Sequence, residues 1–206
     1  MSYPTDYHAF RTQVSKAFPS VAPLMVAALR DHGLSQIDVR FKGVHINTTT
    51  FAKVRHVIES GQVLVRYTND PSFRGICKTI HAYDLLITGI NNIHDLYDRS
   101  SFIHEAIHIR SDMRGKAKAQ MPDEVLAYVI QGVFLRFGGL QTNNYPGARN
   151  QTLLPAALAI ADELLTRNPV THQQEAALEA AIRAMPEYPN INNVVLHLNA
   201  VRPLRH

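Results

Sequence analysis

The chain lacks the features of disulfide-bonded and membrane-spanning proteins. Its 206 residues include a single cysteine, Cys77, so neither an intrachain disulfide nor a cysteine-based zinc finger can form. No apolar run is long enough to span a bilayer, and the richest one, residues 21–29, is interrupted by Pro23. The opening residues show no basic stretch followed by an apolar one. We therefore expect a cytosolic protein, or one exported without a cleaved signal peptide, with no membrane partner.

Runs of one charge are also missing. Lys and Arg number 21 against 17 Asp and Glu, a net charge of +4, and the basic residues are scattered along the chain. Because a nucleic-acid-binding surface needs clustered basic residues, we expect no nucleic-acid partner. The apolar share of 46% is enough to bury a core, and the length fits a single domain over residues 1–206. Tryptophan is absent, whereas histidine is frequent, with 11 residues.

Hydrophobic periodicity predicts an α+β fold with two unlike halves. Residues 1–97 form a mixed half with a small mixed sheet of about three strands, and residues 98–206 form a mainly helical half. A loop rich in Gly, Asn and Pro separates two helices of the second half, and the pattern of the tail after residue 188 is ambiguous. The predicted strands cover residues 36–46, 62–68 and 82–88, and the predicted helices cover residues 6–17, 20–32, 48–60, 101–114, 122–137, 152–167 and 171–185.

The helix predicted over residues 101–114 contains a metal-binding motif. Residues 104–108 read His-Glu-Ala-Ile-His, the HExxH pattern. Positions i and i+4 share one helical face, so His104 and His108 can both reach a zinc ion at about 2.0–2.1 Å. Glu105 lies beside the open coordination position, where it can take a proton from the attacking water and pass it to the leaving amine. The alternative interpretation is a pair of hydrogen-bonded core histidines.

A catalytic zinc site needs a third protein ligand. The favoured candidate is Glu124, which opens the next helix 16 positions after His108, and Asp123 is the alternative ligand. A third histidine at the metzincin spacing is missing, because Ser111 and Arg114 stand where glycine and histidine are required. Both acidic residues also suit the first turn of a helix, whose dipole favours negative charge there.

These motifs resemble the zincin metallopeptidases, in particular the glutamate-zincin type. The resemblance covers residues 80–137, about a quarter of the chain. It implies a zincin-like fold, a bound Zn²⁺ and the hydrolysis of peptide bonds in peptide or protein substrates. It also implies that the strand over residues 82–88 presents an edge along which an extended substrate binds. The matching residues are His104, Glu105 and His108 on one helix and Glu124, Ala127 and Tyr128 on the next.

Several further residues are weaker candidates for roles at this site. Asp112 can orient a ligand histidine from outside the metal shell, and Tyr128 or Tyr145 can hydrogen-bond a developing oxyanion. Each also has an ordinary structural interpretation, such as a surface ion pair or a packed tyrosine. The remaining candidates are His81 and His94 as alternative ligands, His197 as an oxyanion donor and Cys77 as an inhibitory thiolate.

Three functions remain open on this basis. The leading hypothesis is a single-zinc metallopeptidase whose loop at residues 138–151 forms a wall or lid of the cleft. The second is a non-catalytic zinc-binding module, in which a fourth ligand such as Asp112 or His94 closes the site. The third is a secreted effector or toxin that uses the same metal site. Substrate specificity and oligomeric state have no signature in this sequence.

Overall fold

A computed structural model describes residues 7–70, 77–80, 85–114, 118–140, 152–186, 188, 191 and 195–196. In this part of the chain, helices predominate over short strands. The helices are α1 (Tyr7–Ala17), α2 (Ala22–Ala28), α3 (Thr48–Glu59), α4 (Leu96–Met113), α5 (Gln120–Phe137), α6 (Leu153–Thr166) and α7 (His172–Arg183), with a 3-10 helix at His32–Gln36. The strands are β1 (Asp38–Phe41), β2 (Val44–Asn47), β3 (Leu64–Tyr67), β4 (Cys77–Ile80), β5 (Leu85–Thr88), β6 (Lys118–Ala119) and β7 (Val195–Leu196).

The strands form one mixed sheet and two ribbons. The mixed sheet has the order β3-β5-β4, with β5 parallel to β3 and antiparallel to β4. The ribbons are the antiparallel pairs β1-β2 and β6-β7, and the second of these joins the tail to the start of α5. The α+β class, with a small mixed sheet and a mostly helical second half, is confirmed at this level. None of the described helices is both long and apolar enough to cross a membrane.

The single strand predicted over residues 36–46 is wrong, because the chain reverses in its middle. Lys42 and Gly43 both have positive φ angles, 47° and 75°, and form the two-residue turn between β1 and β2. Positive φ at both central residues matches the right-handed twist of the flanking strands, and glycine adopts it without steric cost. Val39 therefore pairs with Ile46 across the hairpin, and both side chains are buried.

The prediction that the strand at residues 82–88 presents an edge is also wrong. Its described part, β5, is the central strand of the sheet, so its hydrogen-bonding groups on both sides are used. The outer side of β3 is covered as well, since the Tyr67 N–H donates to the Pro19 carbonyl and the Val21 N–H to the Val65 carbonyl. Within the described residues, β4 is the edge strand without a second neighbour, and it packs against α4.

The helical half is built on two long neighbouring helices, α4 and α5. Helix α4 begins five residues before its predicted start at Ser101, because Asp95 caps it by accepting a hydrogen bond from the Tyr97 N–H at 2.6 Å. Helix α5 packs against α4 on one side and α6 on the other, and α7 packs against α6. The capping box predicted at Thr171 and Gln174 begins α7. This packing brings the start of α5 against the middle of α4.

Candidate metal centre

Helix α4 is buried on nearly all sides, although many of its residues are polar. Eleven of its 18 residues are buried, and its apolar members lie in the main hydrophobic core. Buried polar groups are costly unless they are paired or bind a ligand. Such a concentration of polar side chains inside the core therefore indicates a specific site. The buried polar residues of α4 are Ser100, His104, Glu105, His108, Ser111 and Asp112.

Three of the predicted site residues converge on one point. The Nε2 atoms of His104 and His108 lie 3.0 Å apart. The Oε2 atom of Glu124, from the first turn of α5, lies 3.3 Å from Nε2 of His104 and 3.4 Å from Nε2 of His108. One ligand atom from each residue thus forms a compact triangle, and the three residues together can hold a metal ion.

The dimensions of this triangle fit a first-row transition metal. Ligand atoms about 2.0–2.1 Å from an ion at tetrahedral angles are separated by about 3.3–3.4 Å. The two separations to Glu124 match this value, and the one between the histidines is slightly shorter. Oε2 of Glu124 is buried and makes no hydrogen bond among the described residues, although it faces two imidazole nitrogens. Its lone pairs are therefore available to a cation at the centre of the triangle.

Asp123 has a different position from the one predicted for an alternative ligand. Its Oδ2 atom lies 2.7 Å from Nδ1 of His108, and its Oδ1 atom accepts a 2.6 Å hydrogen bond from the Ser111 hydroxyl. Because a carboxylate can only accept here, Nδ1 of His108 carries a proton, and Nε2 faces the triangle. Asp123 thus orients His108, which is the role that sequence reasoning gave to Asp112.

The ionisation of the site is strongly coupled. Burial opposes the charged form of His108, but the Glu124 and Asp123 carboxylates outweigh it and raise the pKa of His108 well above its usual value. Burial likewise opposes ionisation of Glu124, but the contacts with His108 and His104 hold the pKa of Glu124 well below its usual value. The charged forms of His108 and of the two carboxylates therefore stabilise one another inside the core.

Two tyrosines lie beside the triangle, one of which sequence reasoning missed. The ring of Tyr128 packs on that of His104 with centroids 4.3 Å apart, and its hydroxyl lies 3.7 Å from Sδ of Met185. The pKa of Tyr188 is raised, first by burial and then by Tyr128 and Glu124, which its hydroxyl contacts. No local pattern marks Tyr188, because it follows the last helix in a segment without clear periodicity.

The remaining candidates divide into those the structure places and those it does not. Glu105 follows His104 on α4 and is buried, as is Asp112. The three named residues of the motif and Glu124 are all buried. Their exposed fractions are 7% for His104, 5% for Glu105, 5% for His108 and 6% for Glu124. His94 is exposed ahead of α4 and does not belong to the triangle. The side chain of Cys77 and all of His81, Tyr145 and His197 lie outside the described residues, as does most of the loop at residues 138–151.

Comparisons of the chain with protein families, with curated proteins and with solved structures gave no match.

Proposed function

We propose that this protein is a zinc-dependent metallopeptidase of zincin-like architecture. The observation that supports this proposal best is the preformed triangle of His104, His108 and Glu124, with Glu105 next to a ligand on the same helix. A nitrogen-rich set of two imidazoles and one carboxylate favours zinc over the oxygen-preferring ions Mg²⁺ and Ca²⁺. Three protein ligands leave one tetrahedral position for water or substrate, which is the arrangement of catalytic zinc sites.

Each residue has a defined task in this proposal. The bound ion supplies the Lewis acidity that makes water a nucleophile near neutral pH. Glu105 accepts the proton of the attacking water and returns it to the leaving amine. Asp123 fixes the ring of His108, and Tyr128 supports the ring of His104 and offers its hydroxyl near the developing oxyanion. The edge strand β4, which packs against α4, is the described strand to which an extended peptide can add.

One observation favours a second candidate, a metal-binding protein without hydrolytic activity. The three ligands and Glu105 are all more than nine-tenths buried, as expected where a metal stabilises a fold. A secreted effector or toxin with the same metal site is a variant of the first candidate. Its chemistry is the same, and only its target and location differ.

The exchange Glu105→Gln separates the two candidates. The amide keeps the size of the side chain but cannot accept the proton, so metal binding persists while peptide hydrolysis falls by about 10²–10⁴-fold. Hydrolysis is measured by mass spectrometry on a broad peptide library with the zinc-loaded chain. The matched control is Glu179→Gln on α7, a half-buried residue that pairs with Arg183 and lies outside the triangle, and this variant keeps full activity.

Two results of this experiment would argue against the peptidase. Cleavage retained by Glu105→Gln contradicts the assignment of the base. A wild-type chain that binds one metal ion but cleaves no peptide in the library supports the non-catalytic candidate instead.

A further inference from the structure

A half-open cavity lies on the face of α4 away from the triangle. It has a volume of about 520 Å³ and is lined by the end of α4, the start of α3 and the strand β2. Volumes of this order are typical of small-molecule sites. Its lining is mostly polar or charged and comprises His45, Asn47, Thr49, Thr50, Lys53, Arg110, Met113 and Arg114.

The charged groups of this cavity are all of one sign. Lys53 projects from α3, and Arg110 and Arg114 lie four residues apart on one face at the end of α4. None of the three forms an ion pair or a hydrogen bond with the part of the chain that the structure describes. Three cations thus line one half-open cavity, and the carboxylate of Asp123 acts on one of them, Arg110.

Two acidic residues that interact with lining residues of the cavity also have other roles. Asp38 lies 2.5 Å from Nε2 of His45, which is a lining residue. Asp123 accepts from Ser111 and contacts His108, as described above. A preference of the end of α4 for cations explains Arg110 and Arg114 taken alone, because the helix dipole is negative there. The dipole of α4 does not explain why Lys53 and the positive N-terminal end of α3 line the same cavity as these two arginines.

We propose that this cavity binds a small polyanion whose charge is carried by phosphate groups. Arginine guanidinium groups offer paired N–H donors that match the oxygens of a phosphate, and lysine adds a point charge. The hydroxyl of Thr49 offers a further donor at the same wall, and the positive end of the α3 dipole lies there, where the Thr50 N–H is bonded to the Asn47 side chain. Met113 supplies an apolar surface for the organic part of a phosphate ester.

The polyanion site is separate from the metal centre. At about 100° per residue, Arg110 lies roughly 120–160° around α4 from His104 and His108. The two sites share the helix but not a ligand residue. The binding of a polyanion therefore does not depend on metal or on peptidase activity, and either proposal can fail without the other.

The test is isothermal titration of the full chain with inorganic pyrophosphate at 0.15 M NaCl. Saturable one-to-one binding is expected, together with a rise in Tm of roughly 5–10 °C at a hundredfold excess over Kd. The same titration with citrate distinguishes a general polycarboxylate site, and phosphate specificity predicts at least tenfold weaker binding of citrate. Binding must persist in the His104→Ala variant, which keeps the cavity but lacks a metal ligand.

The variants that locate the site are Arg110→Gln combined with Arg114→Gln, and Lys53→Gln alone. Each is expected to weaken pyrophosphate binding by tenfold or more, and Lys53 is exposed enough for its exchange to leave folding intact. The matched control is Lys16→Gln with Arg183→Gln, which removes the same charge from exposed positions on α1 and α7. Absence of binding, equal loss in the control, or loss in His104→Ala would overturn the proposal.

Discussion

At the scale of single residues, the centre of the molecule is a set of polar side chains that satisfy one another only in part. His108 has a carboxylate partner on Nδ1, whereas Nδ1 of His104 has no hydrogen-bond partner among the described residues. Oε2 of Glu124 likewise has no hydrogen-bond partner among these residues. Leaving such atoms unpaired costs roughly 1–3 kcal/mol each. A cation between the two imidazoles and Glu124 would offset the cost at Oε2 of Glu124, which faces the centre of the triangle, but not the cost at Nδ1 of His104, which lies on the other side of its ring.

The exchange Asp123→Asn tests how the ligand His108 is oriented. We expect zinc affinity to fall by roughly 10–100-fold, because the neutral amide polarises and holds the imidazole less well than the carboxylate does. Ser111→Ala removes only a donor to Asp123 and is the milder control, with an expected loss of less than about tenfold. Affinity is measured by competition with a chelating dye. Unchanged affinity in Asp123→Asn would show that Asp123 has no part in the metal site.

The sequence was sufficient to predict the three residues of the triangle but not the residues around them. His104 and His108 follow from the helical repeat, and Glu124 from its place in the first turn of the next helix. The assignment of Asp123 was open, since two adjacent acids at a helix start are equivalent until the packing of α5 on α4 decides which one completes the triangle. Tyr188 was missed because its contact with Glu124 joins segments far apart in the chain.

At the scale of elements, the site depends on how closely the long helices approach. Helix α5 lies between α4 and α6, and its Gly132 lies against the backbone of α6 at Ala157. A Cβ atom there would lie 3.1 Å from the carbonyl oxygen of Ala157, which is closer than normal side-chain contact with a backbone. The absence of a side chain at Gly132 therefore helps to set the position of α5 and, with it, that of Glu124.

The exchange Gly132→Ala tests this helix contact. Alanine gains up to about 1 kcal/mol of helix propensity, but forcing α6 to move costs about 1–3 kcal/mol, so we expect a net loss of about 1 kcal/mol of stability. Urea unfolding followed by circular dichroism measures the change in midpoint. A more stable variant would show that α6 moves without cost and that the contact between Gly132 and Ala157 is not tight.

The elements could be predicted wherever the evidence was local. The four long helices of the second half follow from apolar periodicity, and the capping box at Thr171 was visible as a motif. The turn at Lys42 and Gly43 was not predicted, because lysine is an unusual residue at positive φ. The central position of β5 in the sheet could not be predicted from the sequence, since strand order depends on contacts between distant segments.

At the scale of the whole molecule, the stability of the fold depends on the protonation of His108 and Glu124. The raised pKa of His108 gives stability that is complete below its ordinary value of 6.5 and is lost as pH rises through the folded value. The lowered pKa of Glu124 gives stability that is complete above its ordinary value of 4.5 and is lost as pH falls through the folded value. Both contributions are therefore complete between pH 4.5 and pH 6.5.

The stability from protonated His108 is lost as pH rises, whereas the stabilisation by zinc is expected to increase as pH rises. Zinc must displace the proton of His108, so the rise in Tm caused by zinc is expected to be larger at pH 7.5 than at pH 5.5. Scanning calorimetry of chelator-treated and zinc-loaded chains at both pH values measures this difference. His108→Gln is the control and should abolish the zinc-dependent rise at both. An equal rise at both pH values in the wild type would contradict the exchange of a proton for metal.

The most direct test of the account is the metal content of the purified chain by plasma mass spectrometry, beside His104→Ala and Glu124→Ala. We predict about one zinc per chain in the wild type and in the control Glu179→Ala, and little or none in the two ligand variants. No metal in the wild type, even after zinc is offered at neutral pH, would contradict the account. His104 and His108 would then be core histidines that pair with carboxylates, and the proposed peptidase activity would lose its basis.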